Sequence, residues 1–214
     1  LFLLFLYVLA ALLVFSRGRV QPAIPACCTV IVLCCCVLLN AFTFAAAEFT
    51  FSALDVGQGQ CLVISSGGAS VMVDCGGDTG AIAAREAAAY LASAGSTRLD
   101  MLVLTHFDAD HTGGVPTLLE RIPVGQILAP DYDDGSGMYD AVVQVAAEAD
   151  VPVTFLSASP VQIALGEGTV TVLPPVSYGS SNDACLSVLA SFGDFDILAT
   201  GDMDTDAEQL LLKM

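Results

Sequence analysis

The sequence predicts a sheet-rich α/β layer fold carried behind two apolar helices. Three observations predict it. Charge is segregated: among 214 residues, 1–47 hold only Arg17 and Arg19 as charged side chains, while all 23 acidic and the four remaining basic residues follow from Glu48 onward. Beyond that point short β-type runs, glycine turns and helical stretches alternate, as they do in packed layers of sheet and helix. Several strands also run directly into Asp or His. The composition, 55% hydrophobic and 14% charged, excludes a disordered chain.

Leu1–Ser16 (LFLLFLYVLAALLVFS) and Val20–Ala47 carry no charge. A bilayer core takes about 20 apolar residues as helix. Residues 1–47 therefore read as a transmembrane segment with helices at about 1–16 and 20–47, the first cut short because the chain opens on Leu1. Arg17 and Arg19 would mark the connection as cytoplasmic. This predicts a multi-pass protein of the cell membrane with the acidic part, 48–214, on the extracytoplasmic side. A secretory signal ending at Ala45-Ala46-Ala47 is the alternative, and the apolar run ahead of Arg17 argues against it. Five of the eight cysteines lie in the second run and read as small apolar side chains. Cys61, Cys75 and Cys185 give no disulfide framework.

In the acidic part, Phe49–Leu54 alternates as a strand, followed by apolar strands at Cys61–Ser65 and Ser70–Val73, with glycine turns between them. Thr79–Ala94 is an Ala-rich helix closed by Gly95. Asp100–Leu104 is a buried strand, Val115–Ile122 a short helix, Gln126–Leu128 a strand and Tyr139–Ala149 a helix. Strands follow at Val151–Leu156, Val161–Leu165 and Thr169–Leu173. Cys185–Ser191 and Phe195–Thr200 form a hairpin about Gly193-Asp194, and a helix runs over Asp204–Lys213.

Both histidines of the chain stand in one loop, His106-Phe107-Asp108-Ala109-Asp110-His111, directly after the DMLVL strand and before Gly113-Gly114. Two imidazoles and two carboxylates crowded at a strand end call for a cation, since divalent ions take imidazole nitrogen and carboxylate oxygen together. Asp74, Asp202 and Asp55 each end a strand and can converge on the same rim.

The His106–His111 loop resembles the HxHxDH motif of the metallo-β-lactamase superfamily. Val73-Asp74-Cys75-Gly76 and Leu198-Ala199-Thr200-Gly201-Asp202 resemble its other strand-end aspartates. Leu54-Asp55-Val56-Gly57-Gln58-Gly59 and Ser181-Asn182-Asp183-Ala184-Cys185-Leu186-Ser187-Val188 are similar to segments of the ComEC-type DNA-internalisation competence family. In that family membrane helices precede such a domain.

The resemblance implies a metallo-β-lactamase-like αββα sandwich, truncated at its C-terminus, behind two transmembrane helices. It implies two divalent ions, zinc or manganese, held by His106, Asp108, Asp110, His111 and Asp202, with Asp110 also in the catalytic role. Asp74 would orient these ligands from behind, and Asp55, Asn182 and Asp183 would shape the rim. The implied activity is metal-dependent hydrolysis of DNA, with single-stranded DNA, the membrane and other DNA-uptake components as partners. A catalytically silent docking or transport module of the same fold, or another hydrolase of the superfamily, stays open.

Three departures stand out. Asp108 replaces a His of the motif, which hardens the site toward Mn²⁺ or Mg²⁺. Cys185 stands where Ser is usual. The chain ends at Met214 before the superfamily's later histidines, so 48–214 is expected to be an incomplete hydrolase domain. The charge balance also lacks the basic stripe through which proteins usually hold nucleic acid.

Overall fold

The computed structural model describes residues 2–15, 23–45 and 49–213. Two helices, α1 (Phe2–Phe15) and α2 (Ala23–Ala45), precede the α/β domain. Its elements are β1 (Thr50–Ala53), β2 (Leu62–Ser66), β3 (Ala69–Val73), α3 (Gly80–Ala94), β4 (Met101–Val103), α4 (Ala109–Thr112), α5 (Val115–Arg121), β5 (Ile127–Pro130), α6 (Met138–Glu148), β6 (Val153–Leu156), β7 (Val161–Leu165), β8 (Gly168–Leu173), β9 (Ser187–Phe192), β10 (Phe195–Ala199) and α7 (Thr205–Leu211).

The strands form two sheets. One has six strands in the order β1-β2-β3-β4-β5-β6, and the other four in the order β10-β9-β8-β7. β1, β2 and β3 pair antiparallel, and β3 through β6 run parallel. The second sheet is antiparallel throughout. Successive strand side chains point to opposite faces, and that alternation sorts the core. Ile64, Val71, Val73, Val103 and Leu128 meet Val170, Val172, Leu186, Val188 and Ala190 between the sheets. Val63, Met72, Leu102 and Ile127 face the other way, against Ala83, Ala87 and Leu91 of α3, Leu118 of α5 and Val142 of α6. α7 covers the far side of the second sheet with Ala207 and Leu211 on Cys185 and Met203. The layers are thus helix, sheet, sheet, helix: the αββα sandwich.

Local signals set the helix bounds. Thr79 caps α3, its side chain accepting from the Ile82 N–H, and Gly95 closes it in the left-handed conformation at φ 92°. Asp204 caps α7 by accepting from the Ala207 N–H.

The expectation of two transmembrane helices is overturned. Among the described residues, no helix is long and apolar enough to cross a membrane. The described part of α1 has 14 residues. α2 carries Asn40 and Thr43 in its last turns, and Asn40 Nδ2 donates to the Ser93 carbonyl of α3 at 2.8 Å. Its end therefore lies against the α/β domain. The multi-pass membrane location and the extracytoplasmic placement drawn from those helices fall with them. The Arg17–Arg19 connection, most of Ala45-Ala46-Ala47 and Glu48 lie outside the described residues.

Candidate metal centre

The site forms where parallel strands β3 and β4 end, the edge of an open α/β sheet at which ligands bind. Asp74 follows β3, and Thr105 and His106 follow β4. The ladder continues past the strands, Asp74 N donating to Val103 O at 2.8 Å. The loop from His106 then turns through α4 and returns, so that Cys75 N donates to His111 O at 2.8 Å and Gly114 N to Cys75 O at 2.7 Å. Glycine permits these crossings. A Cβ on Gly76 would collide with the Asp110 carbonyl, and one on Gly80 with the Gly113 carbonyl.

Asp74 is fully buried and holds φ 60°, a left-handed conformation that Asp tolerates better than most residues. Four donors surround its carboxylate. Thr105 N donates to Oδ1 at 2.7 Å. Oδ2 accepts from Thr105 Oγ1 at 2.7 Å, Gln60 Nε2 at 2.8 Å and His111 Nδ1 at 2.7 Å.

These bonds fix both imidazole tautomers. A carboxylate only accepts, so His111 carries its proton on Nδ1. Thr105 Oγ1 spends its single proton on Asp74, so its 3.0 Å contact with His106 Nδ1 requires a proton on that nitrogen as well. Both Nε2 lone pairs are left free in the neutral rings. His106 Nε2 is buried with no hydrogen-bond partner, and His111 Nε2 stands 3.1 Å from Asp202 Oδ1. Two electron-pair donors at that distance need a proton or a cation between them. His106, His111 and Asp202 bring their ligand atoms within 4.8 Å of one another. The residues present fit a divalent ion: an orphaned buried nitrogen, a second imidazole held from behind by a carboxylate, and a half-exposed carboxylate facing both. Among the described residues this is a single cluster.

The two rings titrate in opposite directions. Burial lowers the His106 pKa, and the neighbouring His111 lowers it further. For His111 burial also pulls downward, but the hydrogen bond and charge of Asp74, with Asp202 and Asp110 adding, raise it above the usual imidazole value.

The other expected residues are placed as follows. Asp108 lies at the edge of the cluster, Oδ2 being 3.6 Å from His106 Nε2. Asp110 is half-buried and lines a neighbouring recess of about 440 Å³ with Gln58, Asp78 and Thr79. Asp55 is exposed, its carboxylate only 3.5 Å from the Gly57 N–H. Asn182 is exposed and Asp183 half-buried, the Asp183 N–H donating to Ser180 Oγ at 3.2 Å. Cys185 is buried, and its thiol lies 3.8 Å from Ser181 O. Burial, chiefly, pushes that thiol up to about 12, so in the metal-free chain it is protonated at neutral pH. Sequence reasoning passed over Thr105 and Gln60, which hold Asp74, and Ser181, whose Oγ donates to Asp108 Oδ1 at 2.8 Å.

Residues 54–213 match the family described as the Metallo-beta-lactamase superfamily. The chain belongs to that superfamily. Among curated proteins it is 24% identical over 205 residues to ComE operon protein 3 of Bacillus subtilis, covering 88% of this chain and 26% of that protein. It is 29% identical over 167 residues to Competence protein ComA of Neisseria gonorrhoeae, covering 77% and 21%. The chain thus spans about a quarter of the length of these relatives. A solved structure, the metallo-beta-lactamase fold protein YhfI from Bacillus subtilis, aligns at TM-score 0.46 and 15% identity over 71% of this chain and 62% of that one.

The assignment to ComEC-type competence proteins is thereby corrected. What is shared is the superfamily domain, with partial similarity to competence-related proteins and no membrane helix among the described residues. The physical reason is visible in the DVGQG segment. Gly59 has φ 141°, and a Cβ there would strike the Asp110 carbonyl, while Gln60 N donates to that same carbonyl at 3.1 Å. The segment braces the His loop, a need of the metal centre that carries no information about membranes or DNA uptake.

Proposed function

We propose that this chain is a metal-dependent hydrolase whose substrates are phosphodiesters, with single-stranded DNA as the substrate class. The observation that carries the metal-dependent reading is His106 Nε2, buried without a partner and sharing one small volume with His111 and Asp202. The partial similarity to competence-related proteins supports the narrower substrate class.

His106, His111 and Asp202 would hold the first ion. In the two-ion form of the proposal, Asp108 joins on the His106 side and Asp110 on the His111 side. A bound ion supplies Lewis-acid polarisation of the phosphoryl group and activation of water. The chain's own residues do the rest. Asp74 keeps the His111 proton on Nδ1, and Thr105 does the same for His106. Asp110, which lines the neighbouring recess, would accept a proton from an attacking water. Manganese or magnesium suits this oxygen-rich set as well as zinc.

A second reading, a module that holds an ion without turnover, is favoured by charge. From Glu48 onward Arg85, Arg98, Arg121 and Lys213 stand against 23 acidic side chains, and phosphate contacts by Lys and Arg normally supply much of the affinity for nucleic acid. Incubation with a labelled single-stranded oligonucleotide and with bis(p-nitrophenyl) phosphate, with Mn²⁺ or Zn²⁺, separates the two. Cleavage abolished by chelator and by His106→Ala supports the hydrolase. Stoichiometric metal binding without cleavage of either compound supports the silent module.

A further inference from the structure

Asp108 stands at the N-cap of α4, where an aspartate ordinarily accepts a hydrogen bond from a backbone N–H of the first turn. It makes no such bond. The carboxylate is turned away from the helix, and its two oxygens are divided. Oδ1 accepts from Ser181 Oγ at 2.8 Å, across 73 residues of sequence. Oδ2 faces His106 Nε2 at 3.6 Å, the nitrogen that has no partner.

Ser181 is itself held. Ala184 N donates to Ser180 O at 3.0 Å, and the Cys185 thiol donates to Ser181 O at 3.8 Å. One residue further, Leu186 N donates to Thr105 O at 2.8 Å. The turn is therefore pinned to the strand end that carries His106, so that Ser181 and His106 address opposite oxygens of one carboxylate. From this arrangement we infer that Ser181 is a positioning residue for the metal centre: by holding Oδ1 it turns Asp108 Oδ2 toward the ion as a further oxygen ligand. The inference rests on the proposed metal-dependent reading. It adds that the carboxylate standing at a histidine position works as a ligand only with its hydroxyl partner. A half-exposed aspartate without that partner would rotate among solvated positions or fall back to cap α4.

The test is a double-mutant cycle on the full chain, reading Mn²⁺ and Zn²⁺ affinity and the visible absorption bands of the Co²⁺-loaded protein. Ser181→Ala weakens metal affinity by about 10-fold, the lower end of the effect expected for a group that orients a ligand. It also changes the cobalt bands in the same sense as Asp108→Ala. Ser181→Thr, which keeps the hydroxyl, restores affinity and spectrum. In the Asp108→Ala background, Ser181→Ala has no further effect. The inference is overturned if Ser181→Ala leaves affinity and spectrum unchanged, or if its loss is equally large without Asp108. His106→Ala distinguishes the two levels of failure. If His106→Ala abolishes binding and Ser181→Ala does not alter it, the role of Ser181 alone is wrong. If His106→Ala retains full binding, the metal-centre reading fails and this inference with it.

Discussion

His111 stands between two carboxylates, with Nδ1 2.7 Å from Asp74 Oδ2 and Nε2 3.1 Å from Asp202 Oδ1. The inner carboxylate is fully buried and the outer one is half-exposed. The inner one sets the tautomer and ring angle, and the outer one shares the open side with whatever cation enters. Asp74→Asn keeps the shape but brings an amide N–H₂ against groups that themselves donate. It is expected to weaken metal affinity by about 10–100-fold and to destabilise the metal-free chain by about 3 kcal/mol, as breaking a buried charge pair does. Isothermal titration and urea unfolding read the two effects separately. Wild-type affinity in this variant would remove Asp74 from the centre.

The opposed titration of the two rings gives a pH dependence with a definite sign. In the metal-free protein the raised His111 pKa contributes stability that is fully present below the unfolded value of about 6.5 and is lost as pH rises through the folded value. The lowered His106 pKa does the reverse. Its contribution is present above about 6.5 and is lost as pH falls through its folded value. Metal needs both Nε2 lone pairs, so protons compete at His111 first on acidification. Affinity should rise with pH until the elevated His111 pKa is passed. Calorimetry in two buffers of different ionisation enthalpy should show proton release on binding below that point. Binding that is flat with pH across that range would contradict the assignment of His111.

Gly76 lies where the strand-end turn passes under the His loop, and a methyl group there would meet the Asp110 carbonyl. Gly76→Ala should therefore displace α4 and the loop. The expected cost is about 1–3 kcal/mol, typical of overpacking, together with loss of metal affinity, measured by thermal unfolding and titration on the same sample.

The Cys185 thiol, buried and pushed up to about 12, should resist alkylation in the native chain at pH 8 and react on unfolding. Mass spectrometry after iodoacetamide treatment checks this. Rapid native labelling would place the thiol nearer solvent than the structure does.

The parts of the site that sequence made legible were those written in adjacent residues. The His106–His111 loop announces itself because both histidines of the chain fall in it, and Asp74 and Asp202 because each ends an apolar strand. Thr105, Gln60 and Ser181 were not legible, since each acts on a partner brought to it by the fold, Ser181 across 73 residues. Asp55 shows the converse: a strand-end aspartate that is exposed and outside the metal cluster. α4 escaped notice because a single turn of Ala109–Thr112 is too short for a periodic pattern. The αββα layering was expected from the family resemblance alone, and the strand order was not legible, since alternation assigns side chains to faces but not strands to partners. The two apolar helices were over-read because composition reports hydropathy alone. It does not show that Asn40 ties α2 to α3.

Metal titration of the 214-residue chain beside His106→Ala tests the central claim most directly. The two imidazoles and Asp202 should bind a divalent ion stoichiometrically and with a measurable heat, and removing His106 should abolish that binding while the fold, followed by circular dichroism, persists. Failure of the wild-type chain to bind Zn²⁺ or Mn²⁺, or undiminished binding in His106→Ala, would contradict it.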